Sequence, residues 1–197
     1  MGKSTVAQMF STKGIPVISA DKIVHDLYNG KAAPLIETSF PGSTRGHKVD
    51  REKLMQSLLK QDQGFEKLEA IIHPLVRQEE WQFIQQHKTK GSEILIIEIP
   101  LLFETGAQDL MDAVILVSAP AEVQKQRALS RPNMSLEKFT SLVEKQMPDA
   151  TKRTRADYII ETHTSLEETQ TAVNSLIETI KKEIKPKAYQ KWAELNK

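Results

Sequence analysis

Ser92-Glu93-Ile94-Leu95-Ile96-Ile97-Glu98 is the stretch on which the fold turns. Four apolar residues stand in succession between two glutamates, and the alternation expected of a half-exposed strand is absent. Such a run is the pattern of a strand buried on both faces of a parallel sheet. Ala113-Val114-Ile115-Leu116-Val117-Ser118 repeats it, and Ile15-Pro16-Val17-Ile18-Ser19 and Asp157-Tyr158-Ile159-Ile160 give two shorter versions. Between them the period changes to that of a helix, over 5–10, 22–28, 51–60, 65–88, 120–130 and 136–146. Leu166, Val173, Leu176, Ile177, Ile180 and Ile184 line one face of a closing helix. His73-Pro74 predicts a break or bend, and Pro41-Gly42-Ser43-Thr44 predicts a loop-rich insertion with at most short helices over 29–50. Strands alternating with helices imply an α/β fold, a parallel sheet covered on both faces.

The composition narrows the function. At 197 residues and 39% hydrophobic content, the chain buries one substantial core or a core with a small lid. Lys and Arg number 27 against 26 Asp and Glu, and a net charge of +1 gives no global pull toward nucleic acid or an anionic membrane. An anionic ligand must therefore be held by local clusters. With no cysteine, disulfides, thiolate zinc sites and cysteine nucleophiles are excluded together. The most apolar stretch, 94–103, contains Glu98 and Pro100 and is too short to cross a bilayer, so a soluble, cytoplasmic protein is expected.

The chemistry concentrates at strand ends. Gly2-Lys3-Ser4-Thr5 opens the first helix. A phosphate-binding loop closes in this way, with a glycine where backbone approaches phosphate, a lysine for the outer phosphates and a hydroxyl for magnesium. The first glycine of G-x-x-x-x-G-K-[ST] and the strand before it are expected to precede residue 1, with Met1 an internal methionine taken as a start. Asp21 follows the strand ending at Ser19. It reads equally as a base accepting a proton from an attacking hydroxyl and as an ordinary helix N-cap. Glu98, at the end of the deciding strand, stands where an acid holds magnesium directly or through water. Arg127, Arg131, Lys152, Arg153 and Arg155 surround a segment read as a lid. At least two of these five are expected to be merely solvated, and Arg131, beside a proline break, is the preferred nucleotide-facing one. His73 has no partner at metal spacing and reads as a partly buried histidine structuring a substrate site.

Taken together, GKST at 2–5, SADKIVHDLY at 19–28, LEAIIHPLV at 68–76, IPLLFE at 99–104 and VQKQRALSR at 123–131 resemble the dephospho-coenzyme A kinase family, as do Gln146, Lys152 and the Ala156-Asp157 pair. The resemblance implies a P-loop NTPase-like parallel sheet with helices on both faces, plus a helical substrate-binding insertion and a lid. It implies one kinase domain over 1–197, with its core in 1–28, 92–130 and 156–185, the insertion in 29–91, the lid in 131–155 and a tail in 186–197. The implied reaction moves the γ-phosphoryl group of ATP to the ribose 3′-hydroxyl of dephospho-coenzyme A, with Mg2+ as cofactor and neither nucleic acid nor membrane as partner. Oligomeric state is not legible. On this resemblance Gly2, Lys3, Ser4, Thr5 and Arg131 bind ATP, Ser4 and Glu98 serve the metal, and Asp21 and Lys3 act in catalysis. Asp21, His73, Pro100 and Leu101 fall in the substrate region. His25 stands where the family often has arginine, and Glu98 where aspartate is common. Competing readings are another small-molecule or nucleoside monophosphate kinase, and a truncated, non-catalytic nucleotide- or coenzyme-binding protein.

Overall fold

The structure, a computed structural model, describes residues 2–132 and 134–196. The chain folds as α1 (Lys3–Thr12), β1 (Val17–Ser19), α2 (Ala20–Tyr28), α3 (Ala33–Ser39), β2 (Thr44–Arg45), β3 (Lys48–Val49), α4 (Arg51–Lys60), α5 (Gly64–Thr89) and β4 (Ile96–Glu98). A 3-10 turn (Ala107–Leu110) leads to β5 (Ile115–Ser118), α6 (Ala121–Leu129), α7 (Leu136–Glu144), α8 (Asp149–Arg155), β6 (Tyr158–Glu161), α9 (Leu166–Glu183) and α10 (Ala188–Leu195). Two units result: residues 1–17 with 92–197, and residues 18–91.

In the first unit the apolar runs become strands around the face of α1. β5 and β6 pair in parallel, Ile115 opposite Tyr158 through Ser118 opposite Glu161. β4 lies beside the chain entering β1, where the Ile96 N–H donates to the Pro16 carbonyl. β4 and β5 are not neighbours in one sheet among the described residues, so the strands form separate two-stranded pieces over a common core. That core interleaves Val6 and Phe10 of α1, Val117 of β5, Ile160 of β6, and Val173 and Ile177 of α9. Each such side chain contributes about 1.5–3 kcal/mol by leaving water, which is why α1 holds its place against α9. α9 starts at a reciprocal cap: the Ser165 hydroxyl accepts from the Glu168 N–H while the Glu168 carboxylate accepts from the Ser165 N–H.

In the second unit α2, α3, α4 and α5 enclose Ile23, Leu27, Ile36, Phe40, Leu54, Leu58 and Ile72, and β2 and β3 form a small antiparallel hairpin. Of the break or bend predicted at His73-Pro74, the break does not occur. α5 runs on through Pro74, because Ile72, Leu68, Leu75 and Val76 pack against this core on both sides of the proline and outweigh one missing N–H donor. The segment expected as a tail contains α10, whose Trp192 is 2% exposed and donates its indole N–H to the Leu110 carbonyl at 3.0 Å. Among the described residues no helix is long and apolar enough to cross a membrane.

Candidate active site

Gly2 sits at the N-cap of α1 with φ 85°, the left-handed conformation that a glycine adopts without strain. A Cβ there would lie 3.3 Å from the Thr162 side chain, so both conformation and space call for glycine. Its carbonyl accepts the Val6 N–H, closing the first turn. The N–H groups ahead of Val6 face outward from the helix start, no acidic residue occupies the first turn, and half-buried Lys3 is the first helical residue. Backbone donors and helix dipole at such a start act together on an anion.

Ser4 and Glu98, 94 residues apart in sequence, meet here. The Ser4 hydroxyl donates to Glu98 Oε1 at 3.3 Å, because α1 packs along β4 and Glu98 is the last residue of that strand. A hydroxyl and a carboxylate are hard oxygen donors of the kind Mg2+ takes, alongside waters and substrate phosphates. Among the described residues no cluster of three or more His, Cys, Asp or Glu stands ready to cage a metal. Two donors therefore fit an ion carried in with phosphates, and Ser4 and Glu98 would hold it.

At the carboxyl ends of β5 and β6 the basic residues sort themselves. Arg127 donates to the Thr162 hydroxyl at 3.1 Å and to the Thr162 carbonyl at 2.6 Å, while the Thr162 N–H and hydroxyl bond back to the Ser118 carbonyl. Arg153 bonds to Asp149 at 2.6 Å, Glu161 at 2.7 Å and the buried Ser118 hydroxyl at 3.0 Å. The bonds to Glu161 and then Asp149 push the guanidinium further above its ordinary range. Burial acts to raise Asp149, but its bonds to Ser118 and Arg153 outweigh burial and hold the carboxyl below its usual value. Lys152 is buried against Glu104. Three of the five cations thus bind internal partners, whereas Arg131 and Arg155 are exposed. Arg131 occupies the turn between α6 and α7, at the edge of the segment read as a lid.

Pro100 and Leu101 form the turn leaving β4, with Leu101 exposed and its carbonyl accepting both the N–H and the hydroxyl of Thr105. Asp21 and His73 belong to the second unit. Asp21 is the second residue of α2 and is exposed; the N-cap is Ser19, so the capping reading of Asp21 falls away. His73 is exposed on α5 rather than partly buried. Reading the sequence missed Thr162, Ser118 and Asp149 as anchors of the basic residues, because single polar residues at strand ends carry no periodic signal.

A family model described as dephospho-CoA kinase matches residues 1–168. The chain belongs to the dephospho-CoA kinase family. It is 47% identical over 177 residues to the dephospho-CoA kinase of Brucella melitensis, covering 90% of this chain and 88% of that one. It is 45% identical over 184 residues to that of Rhizobium etli, covering 93% and 91%. The crystal structure of TT1252 from Thermus thermophilus matches with a TM-score of 0.74 at 30% identity, over 91% of this chain and 92% of that chain. The dephospho-CoA kinase from Campylobacter jejuni matches with a TM-score of 0.62 at 25% identity, over 91% of each. These similarities make the protein a phosphotransferase acting on an alcohol group, with the α/β P-loop NTPase-like fold of its relatives. They favour neither another small-molecule kinase nor a non-catalytic binding protein.

Proposed function

We propose that this dephospho-CoA kinase transfers the γ-phosphoryl group of ATP to the ribose 3′-hydroxyl of dephospho-coenzyme A by way of Gly2, Lys3, Ser4, Asp21 and Glu98. The observation that carries the reading is the contact between Ser4 and Glu98 beside the glycine-capped start of α1. Lys3 and the backbone of Gly2 to Thr5 hold the phosphates, and Arg131 supplies a further cation to the nucleotide from the lid segment. A bound Mg2+ would supply charge neutralisation to the β- and γ-phosphates. Asp21 accepts the proton of the 3′-hydroxyl as its oxygen bonds to the γ-phosphorus. The bond from that phosphorus to the β,γ-bridging oxygen breaks, and ADP leaves with the electron pair. Little covalent assistance is asked of the protein; it contributes positioning and charge. His73, Pro100 and Leu101 form the acceptor's surroundings.

The test is ATP turnover by the full chain against a panel of acceptors. Turnover with dephospho-coenzyme A at a kcat/KM far above that of any nucleoside monophosphate is expected. The reverse pattern would overturn the assignment of the acceptor.

A further inference from the structure

On α2, Asp21, His25 and Tyr28 stand at i, i+4 and i+7 and so share one face. Ile23 and Leu27 occupy the opposite side and are buried in the core of the second unit. Arg51, the first residue of α4, lies over the shared face. One of its terminal nitrogens is 3.3 Å from Nδ1 of His25, and its guanidinium carbon is 5.5 Å from the centre of the Tyr28 ring. The adjacent Asp50 is occupied elsewhere: it caps α4 through the Lys53 N–H and pairs with Arg45 at 2.7 Å.

Lys31, Arg45, Lys152 and Arg153 each pair with a carboxylate, while Arg51 has no ion pair among the described residues. Its charge is steadied by a ring and an imidazole but is not neutralised. Surface arginines free of such contacts sample many rotamers, whereas a guanidinium resting on an aromatic face keeps its fork pre-aligned for a planar or tetrahedral oxyanion. The helical rise sets the spacing: His25 lies about 6 Å and Tyr28 about 10 Å along the axis from Asp21. A ribose carrying both a free hydroxyl and a 5′-diphosphate presents its two polar groups over a similar interval.

We propose that Arg51, held by Tyr28 and His25, is a specificity residue that recognises the 5′-diphosphate of the acceptor while Asp21, one to two turns away on the same helix face, serves its ribose alcohol. The acceptor class is a nucleoside 5′-diphosphate ester. The proposal rests on reading Asp21 as the base, but Arg51 acts on a different part of the acceptor.

Two acceptors separate the effects, dephospho-coenzyme A, which carries the diphosphate, and adenosine, which offers the ribose without it. Arg51→Ala is expected to raise KM for dephospho-coenzyme A by about 10- to 100-fold with kcat little changed, the size of a lost charge-assisted contact, and to leave kcat/KM for adenosine as in the parent. Arg51→Lys restores part of the loss. Calorimetric titration with dephospho-coenzyme A, in the presence of a non-hydrolysable ATP analogue, reads the same change without turnover. Equal losses on both acceptors, or an unchanged dissociation constant for dephospho-coenzyme A, would overturn the proposal. Full turnover in Asp21→Asn would remove the base but leave the Arg51 discrimination standing, so the two failures are distinguishable.

Discussion

Lys152→Met probes how the α8 segment is tied to the loop after β4. Lys152 is 6% exposed, and its ammonium lies 2.8 Å from Glu104 Oε1, which also accepts the Met147 N–H at 2.9 Å. The other carboxylate oxygen, Oε2, is buried with no hydrogen-bond partner among the described residues. Burial acts to raise the Glu104 carboxyl, but the Lys152 and Met147 bonds outweigh it and leave the group below its ordinary value. Methionine keeps the apolar stem and removes the charge, leaving a carboxylate held by backbone N–H groups alone. Breaking one side of a buried pair costs about 3 kcal/mol, the low end of the usual range, because the Glu104 side chain retains 18% exposure. For a chain of this length the melting midpoint should fall by about 6–12 °C.

The pH dependence supplies a second check. A carboxyl depressed in the folded state stabilises above its unfolded value, and that contribution is lost as pH falls through the folded value. In the variant burial prevails and the carboxyl rises, so acidification no longer removes stability from this site. Circular-dichroism melts should therefore show a wide gap between parent and variant near neutral pH and a narrow one near about pH 4. Glu104→Gln combined with Lys152→Met should recover most of the midpoint, since a neutral amide needs no counter-charge. A parent-like midpoint near neutrality, or a gap that does not narrow on acidification, would refute the reasoning.

Asp21→Asn should lower kcat about 100-fold with ATP affinity unchanged, and parent-like turnover would remove Asp21 as the base. Glu80 is 5% exposed, and burial, opposed by Arg77, pushes its carboxyl up to about 7. Its raised folded value means stability is full below the unfolded carboxyl range and declines as pH rises toward about 7, so Glu80→Gln should flatten that decline and gain about 2 kcal/mol at alkaline pH. Urea titrations across pH read this directly, and an identical slope in both proteins would contradict it. Trp192→Ala should cost about 3 kcal/mol, because it empties the buried seat of α10 and frees the Leu110 carbonyl. Denaturant midpoints test it, and a change within error would mean that α10 adds nothing to the first unit.

Much of the fold is written locally. The apolar runs at 94–97 and 113–117 lead into β4 and β5, of which β5 is largely buried while β4 is half-buried and pairs with β1 alone among the described residues. Gly2, Lys3 and Ser4 announce the start of α1 because a left-handed glycine, a long cation and a small hydroxyl answer to short-range backbone geometry. The stripe Asp21, His25 and Tyr28 was likewise present in the spacing of one helix. Sequence could not place polar residues against distant partners. Arg127, Lys152 and Arg153 are spelled like solvated surface cations, and only packing at the ends of β5 and β6 and against the loop after β4 put them on Thr162, Asp149 and Glu104. The meeting of Ser4 with Glu98, the seating of Arg51 over Tyr28 and the passage of α5 through Pro74 were decided in the same way. Apolar periodicity records burial at every turn of the chain. A charge pair or a tolerated proline depends on one partner far away in sequence, and its identity exists only once the chain has folded.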